Sequence, residues 1–182
     1  HIDPTARTPY NIYNTLSAYT ALKTAGAGYR TFKTMIEAFD YGNNRESIFH
    51  IEGAKVQLHL AKNPIGFQQK VSLVLKDPDP KDIIIQINDT SQDGTDISWL
   101  WDVDFQYLGD SNAASITTAG TRKYDMGLRL KYEDIPCSST TDMRSTILDL
   151  VKNGTKNLYV IVNYSGLYRT NHLLTELEKE TE

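Results

Sequence analysis

The segment DGTDISWLWDVDF, residues 93–105, gathers the side chains of this sequence that are best placed to do chemistry. It holds four aspartates, Asp93, Asp96, Asp102 and Asp104, and both tryptophans of the chain. Carboxylates this close together repel one another, so stability alone does not account for them. They could bind a cation, alone or together with phosphates.

A metal-binding loop is one interpretation of this segment. An EF-hand loop needs oxygen ligands at positions 1, 3 and 5, a glycine at position 6 and a glutamate at position 12, and no register of the segment supplies them. The pair Asp102 and Asp104 could hold a magnesium ion together with phosphates, although the D-x-D pattern is not specific. The alternative is a polar loop followed by an amphipathic turn, in which Trp99 and Trp101 pack in the core, as aromatic side chains commonly do.

Two further segments offer groups for an anion. In LAKNPIGF, Lys62 and Asn63 follow a predicted strand, and a lysine there could hold a phosphate or acyl-phosphate oxygen. In TAGTRKYDMGLRLKY, Gly120 and Thr121 precede a predicted helix whose first backbone N–H groups could receive an anion, and Arg122 could add a guanidinium fork. The alternatives are an exposed turn lysine and a turn with a purely structural role.

No nucleophile accompanies these groups in the sequence. The G-x-x-x-x-G-K-[ST] phosphate loop is absent, and no serine lies in a G-x-S-x-G elbow. Cys137 has neither a histidine nor an acidic residue beside it. His50 and His59 lie on predicted strands, where a structural role is expected. The pattern leaves an acid without a nucleophile.

The order of predicted elements indicates how these side chains are positioned. Hydrophobic spacing and turn residues predict an α/β domain with a central, mostly parallel sheet, in which IIIQI, ASITT and LYVIV are inner strands. Ligands of such sheets gather at the carboxyl ends of the strands. The predicted helices cover 11–25, 31–39, 68–76, 121–132, 141–154 and 166–182, and the predicted strands cover 47–51, 54–61, 82–88, 113–120 and 157–163 around a hairpin at Glu52-Gly53.

Composition limits the classes of function. The 182 residues are 40% hydrophobic and 23% charged, with a net charge of -4. These values are typical of one globular domain. No basic cluster points to nucleic acid, and no apolar run approaches the ~20 residues of a membrane span. The single cysteine excludes an internal disulfide and fits a cytoplasmic location. Residues 1–9 resemble a vector remnant and leader, so the domain is expected to span 10–182.

Several blocks resemble one family. YNIYNTLSAYTALKTAG resembles the helix that follows the ATP-binding domain of Mur ligases. LAKNPIGF, INDTSQDGTDISWLWDVDF and TAGTRKYDMGLRLKY resemble the C-terminal domain of the MurT family, the Mur-ligase-like subunits of lipid II isoglutaminyl synthase. The similarity runs from about Tyr10 to Tyr168. It implies a Rossmann-like fold of the Mur ligase C-terminal type.

The resemblance also implies a reaction and a partner. The family uses ATP and Mg²⁺ to activate the α-carboxylate of D-glutamate in lipid II, and ammonia then gives D-isoglutamine. A GatD-like glutaminase, in a heterodimer at the cytoplasmic membrane face, supplies the ammonia, and its triad takes an aspartate from the D-x-S-W block. That position is Asp96, supported by Asp93, Trp99 and Asp102. Lys62, Asn63 and Arg122 are candidates for the substrate and phosphate side.

Because the ATP-binding central domain is absent from this sequence, the chain is expected to be inactive alone and to hold no tightly bound cofactor and no metal. Two other interpretations remain open. The chain could be a free-standing module whose acidic loop binds a divalent cation or another ligand. It could instead be a small hydrolase that uses Asp96 or Asp102, which would turn over substrate without a partner.

Overall fold

The computed structural model describes residues 9–38 and 46–181, and the chain divides into two compact units, His1–Asn43 and Asn44–Glu182. The first unit contains helices α1 (Pro9–Thr24) and α2 (Tyr29–Ala38), which confirms both predicted helices. Gly26 follows α1 with a φ of +85°. This is the left-handed region, which glycine adopts without strain. The ring of Tyr19 packs 5.1 Å from that of Phe32. Of the expected vector remnant and leader, residues 1–9, residues 1–8 lie outside the described residues, and Pro9 is the first residue of α1.

In the part of the chain that the structure describes, the second unit contains a six-stranded sheet with helices on both faces. The strands lie in the order β1-β2-β6-β3-β4-β5. Of these described strands, only β1 runs antiparallel to its neighbour, and every other pair is parallel. The elements are β1 (Glu46–Ile51), β2 (Ala54–Leu60), α3 (Pro64–Lys76), β3 (Lys81–Gln86), β4 (Ala113–Ala119), α4 (Lys123–Lys131), β5 (Ser138–Ser139), α5 (Met143–Lys152), β6 (Asn157–Val162) and α6 (Tyr164–Thr181).

The three strands predicted to be inner, β3, β4 and β6, are inner strands. Ile83, Ile84 and Ile85 of β3 have no exposed surface, because successive side chains point to opposite faces and both faces are covered. Ile83 and Ile85 pack under α3 and α4, whereas Ile84 packs under α5 and α6. A continuous apolar run therefore marks a strand buried on both sides.

Two local features differ from the predicted elements. The segment NPIGF lies before the predicted helix 68–76 and was expected to be a turn, but it is the beginning of α3 itself. The Asn63 side chain accepts a hydrogen bond from the Gly66 N–H at 2.7 Å, as a helix N-cap does. Pro64 occupies the first helical position, where its missing N–H costs nothing. The two-residue strand β5 was not predicted, because two serines carry no strand pattern.

The acidic segment forms two 3₁₀-helices, Ser98–Asp102 and Phe105–Asp110. Leu100, Val103, Phe105 and Leu108 face inward and join the core beneath α3 and α4. This segment connects the carboxyl end of β3 to the amino end of β4. A polar loop followed by an amphipathic turn is therefore a fair description of it, and its apolar residues attach it firmly to one face of the sheet.

Candidate functional site at the carboxyl edge of the sheet

Four parallel strands end together at one edge of the sheet. Leu60 of β2, Val162 of β6, Gln86 of β3 and Ala119 of β4 lie in one register row. The loops that follow carry the predicted site residues. Lys62, Asn63 and Arg122 lie within three positions of a strand end, whereas the acidic residues lie further along the loop that leaves β3. We call this edge the carboxyl edge.

An asparagine pair closes the middle of the carboxyl edge. The Asn163 side chain donates to the Asn88 carbonyl at 2.7 Å and accepts from the Asn88 N–H at 3.1 Å. The Asn88 side chain accepts from the Thr121 N–H at 3.1 Å and donates to the Ser165 hydroxyl at 3.1 Å. These bonds join the loops that leave β3, β4 and β6. Sequence reasoning placed these asparagines at strand ends without predicting that they pair.

Gly120 lets two of these loops approach closely. Its φ is +89°, and a Cβ atom there would lie 2.3 Å from the Ile87 carbonyl oxygen. Any side chain would therefore clash with backbone, in a conformation that already disfavours L-residues. Glycine here serves close packing of the loops as well as the turn into α4.

Arg122 lies at this edge but is already engaged by carboxylates. Its Nε lies 3.2 Å from Asp125 and 3.7 Å from Asp89, and the Thr121 hydroxyl donates to Asp89 at 2.7 Å. The arginine therefore lies in a local acidic environment. Binding a phosphate would require it to exchange these carboxylates for the anion.

Lys62 lies at the same edge, above the ring of Tyr164 at the start of α6. Its Nζ is 5.8 Å from the ring centroid. The strand order puts β6 and β3 between the loops that carry Lys62 and Arg122. Their backbones are therefore separated by three strand spacings of ~4.8 Å each. The two cations thus share the carboxyl edge, as expected, with the ends of β6 and β3 between them. The side-chain oxygen of Asn63, beside Lys62, caps α3 by accepting a hydrogen bond from the Gly66 N–H.

Asp93 ties the acidic loop to the carboxyl edge. One oxygen accepts from the Ser165 N–H at 2.8 Å, in the first turn of α6, and the other accepts from the Thr90 hydroxyl at 2.7 Å. Burial raises the pKa of Asp93, but the hydrogen bonds from Ser165 and Thr90 outweigh it, so the pKa lies below its ordinary value. This carboxylate is a structural anchor placed at the positive end of a helix.

Asp96 is exposed, three residues further along the same loop. Its Oδ1 accepts from the Ser98 N–H at 2.7 Å. The backbone N–H and the hydroxyl of Ser98 hold the pKa of Asp96 below its ordinary value. Among the described residues, no histidine hydrogen-bonds to Asp96. The carboxylate is therefore ionised, oriented by its own turn, and open to a group from outside the chain.

The two tryptophans have different surroundings. Trp99 is partly buried and its ring lies 6.0 Å from that of Phe67, as predicted for a core aromatic. The prediction that Trp101 packs in the core is wrong, since 53% of its surface is exposed. In a 3₁₀-helix, residues two positions apart point in different directions, so the two rings cannot both face the sheet. Asp102, next to Trp101, is exposed as well.

Arg129 of α4 is a residue that the sequence reasoning missed. Its side chain is 7% exposed, and it donates to the Leu100 carbonyl at 3.2 Å and the Val103 carbonyl at 2.9 Å. Its guanidinium also pairs with Glu133 and lies 5.2 Å from the ring of Trp101. Arg129 thus fastens the 3₁₀ segment to α4. A sequence signal could have identified Arg129. It is an arginine placed between Met126 and Leu130, which are buried residues of the amphipathic helix α4.

The described residues do not form a metal centre. No three histidine, cysteine, aspartate or glutamate side chains in residues 9–38 and 46–181 are grouped as ligands. The cation-binding interpretation therefore has no geometric support in this part of the chain. The described helices also include none that is both long enough and apolar enough to span a bilayer.

The comparisons with known proteins agree with this architecture. The family model for the MurT ligase C-terminal domain matches residues 60–167. A subunit MurT of lipid II isoglutaminyl synthase (glutamine-hydrolyzing) from Staphylococcus aureus strain COL is 35% identical over 126 residues, which cover 69% of this chain and 29% of that protein. The subunit of the same name from Streptococcus pneumoniae R6 is 27% identical over 168 residues, covering 91% and 38%. The chain thus spans about a third of these relatives.

Solved structures show the same fold at low sequence identity. UDP-N-acetylmuramate-alanine ligase MurC from Thermotoga maritima superposes with a TM-score of 0.64 at 12% identity, over 97% of this chain and 39% of that one. MurF from Acinetobacter baumannii gives 0.62 at 14% identity, over 94% and 38%. The fold is that of the Mur ligase C-terminal domain, with a mostly parallel sheet flanked by helices. The matched family model covers more than half of the chain, and the chain belongs to the MurT ligase C-terminal family.

Proposed function

We propose that this domain completes the active site of a GatD-like glutaminase by supplying Asp96. The observation that carries the proposal is the state of Asp96, an exposed and oriented carboxylate with no histidine partner among the described residues. A triad aspartate accepts the second ring N–H of a histidine, fixes its tautomer and stabilises the imidazolium. A partner histidine at Asp96 would be held in this way. The names of the curated relatives, which include glutamine hydrolysis, support this choice.

The whole protein would then act as a ligase on lipid II. The α-carboxylate of D-glutamate attacks the γ-phosphorus of ATP, forming an acyl phosphate and releasing ADP. Ammonia from glutamine attacks the acyl carbon and displaces phosphate, which leaves D-isoglutamine. ATP and Mg²⁺ would be bound mainly by parts of the protein beyond this chain. Lys62, Asn63 and Arg122, at the carboxyl edge, are proposed to face the substrate and phosphate side.

The surroundings of Asp96 suit this role. Asp93 fixes one end of the loop against α6, and Arg129 fixes the segment after Asp96 against α4. A hydrogen bond that must hold a histidine in one tautomer needs such support on both sides. Trp99, packed on Phe67, adds a rigid apolar contact between these two anchors.

The test is Asp96→Asn in the full-length ligase subunit, assayed with the glutaminase. Asparagine keeps an acceptor oxygen but loses the charge and presents an NH₂ group that favours the wrong tautomer. The corresponding change in a serine protease costs roughly 10⁴-fold in rate. We expect the complex to form, glutamine-dependent amidation to fall by at least about 10²-fold, and free ammonia to restore part of the ligase activity.

Asp110→Asn is the matched control, since Asp110 is an exposed aspartate at the end of the second 3₁₀-helix. It should leave both activities unchanged. Equal loss with glutamine and with ammonia would assign Asp96 to the ligase site or to the fold. Unchanged glutaminase turnover in Asp96→Asn would remove Asp96 from the triad.

A further inference from the structure

The loop of residues 88–96 carries Asp96, and we name it the Asp96 loop. Each of its residues is polar or glycine, and none of them is buried. In the middle of the loop, Asp93 accepts a hydrogen bond from the Ser165 N–H at 2.8 Å. A segment with few apolar contacts can change its order while the domain around it stays folded. The placement of Asp96 therefore depends on polar groups at the carboxyl edge.

Asn88, the first residue of the Asp96 loop, uses all four of its polar groups at the carboxyl edge. Its backbone N–H and C=O pair with the Asn163 side chain at 3.1 and 2.7 Å. Its side-chain oxygen accepts from the Thr121 N–H, and its side-chain nitrogen donates to the Ser165 hydroxyl, both at 3.1 Å. The backbone N–H of the same Ser165 holds Asp93. Ser165 therefore binds the Asp96 loop at its start and at its middle.

Arg122 lies at the other end of this chain of contacts, and its guanidinium is only partly engaged. Its Nε lies 3.2 Å from Asp125 and 3.7 Å from Asp89. This nitrogen is enclosed, yet in the described part of the chain its N–H makes no hydrogen bond of good geometry. The side chain as a whole is 37% exposed, so an anion could reach it. Arginine binds a phosphate through two parallel charge-assisted hydrogen bonds, which these carboxylates do not form.

A phosphate at Arg122 would change the contacts of Asp89. Two anions beside one cation repel each other, so Asp89 gives up its place beside the guanidinium. Asp89 is bonded to Thr121 twice, since the Thr121 hydroxyl donates to its carboxylate at 2.7 Å and accepts from its N–H at 3.2 Å. Thr121 in turn holds Asn88. The carboxyl edge thus has two arrangements, with and without phosphate, that differ in how the start of the Asp96 loop is held.

We infer that Asn88 and Ser165 are positioning residues, which transmit phosphate binding at Arg122 to the Asp96 loop and thereby raise the rate of glutamine hydrolysis. This inference rests on the proposed function, in which Asp96 serves the glutaminase and Arg122 the phosphate side. A phosphate that fixes Arg122 also fixes the turn before it, so the Asp96 loop has less freedom to lose when a histidine binds Asp96. Ammonia is then released mainly when the ligase side can use it.

The first experiment measures glutamate release by the full-length ligase subunit in complex with its GatD-like glutaminase. Rates are compared with glutamine alone and with lipid II, Mg²⁺ and the β,γ-imido analogue of ATP added. The analogue fills the phosphate side without forming an acyl phosphate, so no ammonia is consumed. We expect the additions to raise the wild-type rate by at least about fivefold, the lower end of the usual coupling between two sites.

Ser165→Ala tests the path through the carboxyl edge, because it removes the acceptor for the Asn88 side chain and leaves the backbone N–H that holds Asp93. It should lower the ratio of the two rates to less than about twofold, with the rate on glutamine alone unchanged. Ser165→Thr keeps the hydroxyl and should keep the wild-type ratio.

Ser145→Ala is the matched control. It also removes a hydroxyl from the first turn of a helix, but the Ser145 hydroxyl bonds within α5, to Asp149. This variant should keep the wild-type ratio. If Ser165→Ala instead lowers both rates equally and leaves their ratio unchanged, Ser165 only supports the fold, and the positioning role is overturned.

A second measurement follows the Asp96 loop without any glutaminase turnover. Hydrogen exchange of the peptide that contains residues 88–96 is compared in the full-length ligase subunit with and without Mg²⁺ and the analogue. Exchange in the wild type should slow several-fold when the analogue binds, because ordering of the loop protects its amides. In Ser165→Ala the analogue should still bind, as calorimetry measures, and leave exchange of the loop unchanged.

The outcomes separate this inference from the proposed function. A wild-type rate and a wild-type loop that do not respond to the analogue would overturn the coupling, even if Asp96→Asn abolishes glutaminase turnover. Protection of the loop that is present in the wild type and lost in Ser165→Ala would support the link from Arg122 to the loop. If turnover is also unchanged in Asp96→Asn, that link stands and the triad role of the proposed function is removed.

Discussion

Asp93 and Asp96 lie three residues apart on one loop, and their surroundings give them different roles. Asp93 is enclosed by Ser165 and Thr90, which use both of its oxygens within the domain. Asp96 is exposed and bonded by Ser98 of its own turn. Both pKa values are held low by hydrogen bonds, so both groups are ionised near neutral pH. Of the two, Asp96 is the one whose carboxylate is exposed.

Replacing Asp93 tests the anchoring role. Asp93→Ala removes the acceptor for the first turn of α6, and loss of such a cap costs about 1–2 kcal/mol of unfolding free energy. Denaturant unfolding at pH 7 measures it. Asp102→Ala, an exposed aspartate of the same segment, is the control and should cost less than about 0.5 kcal/mol. A cost for Asp93→Ala no larger than that of the control would contradict the anchor.

The difference between wild type and Asp93→Ala should also depend on pH. The folded pKa of Asp93 lies below the unfolded value near 3.8. Its charge therefore stabilises the fold above the unfolded pKa, and this contribution is lost as the pH falls through the folded pKa. We expect the two stability curves to run parallel near neutral pH and to converge in acid. Denaturant unfolding over a pH series measures both curves.

The contact between α4 and the first 3₁₀-helix decides how the acidic segment is held. A 3₁₀-helix of five residues has few internal hydrogen bonds, so its position depends on what it packs against. Leu100 and Val103 supply the apolar contact, and Arg129 satisfies the carbonyls of the same two residues. Arg129 therefore helps to fix the first 3₁₀-helix, and with it Trp101, against α4.

Arg129→Met tests this element contact. The change leaves two buried carbonyls without their donor and Glu133 without its cation, at a cost of about 2–4 kcal/mol of unfolding free energy. Arg144→Met is the matched control. Arg144 pairs with Glu180 at a site where both side chains are largely exposed. Such pairs contribute less than about 1 kcal/mol. Thermal and denaturant unfolding of both variants measure the loss of unfolding free energy. Equal losses would contradict the role of Arg129 in fastening the 3₁₀ segment to α4.

In the second unit, buried polar groups form hydrogen bonds at the carboxyl edge of the sheet and at the opposite edge. At the carboxyl edge the pair of Asn88 and Asn163 joins three loops. At the opposite edge the buried Lys81 donates to the carbonyls of Asp77 and Ser111. Burial, together with a hydrogen bond to Asp77, raises the pKa of Tyr159 to about 12. Between these ends, the apolar rows of β3 and β6 form the core.

Hydrogen exchange should reveal this organisation. Amides of β3 and β6 are paired on both sides and buried under helices, so they should exchange only through global unfolding. Amides of β1 and β5 lie at the edges of the sheet and should exchange faster by at least about tenfold, through local opening. Mass spectrometry of exchanged peptides measures the order. Protection of β5 equal to that of β6 would contradict it.

The sequence by itself determined the fold class and the inner strands, because their evidence is local. Ile83 to Ile85 read as a strand covered on both faces, and the helices carried their own periodicity and caps. The placement of Lys62 and Arg122 at one edge followed from the rule that parallel strands share their carboxyl ends. The D-x-S-W block pointed to Asp96 through its resemblance to a family.

Tertiary structure alone decided the surroundings of the aspartates and tryptophans in this segment. Asp93 differs from Asp96 because Ser165, which is distant in sequence, donates to one and not to the other. Trp101 is exposed and Trp99 is packed because a short 3₁₀-helix, clamped by Arg129, turns the two rings in different directions. Burial and hydrogen bonding between residues far apart in the chain leave no local pattern, so only the assembled fold shows them.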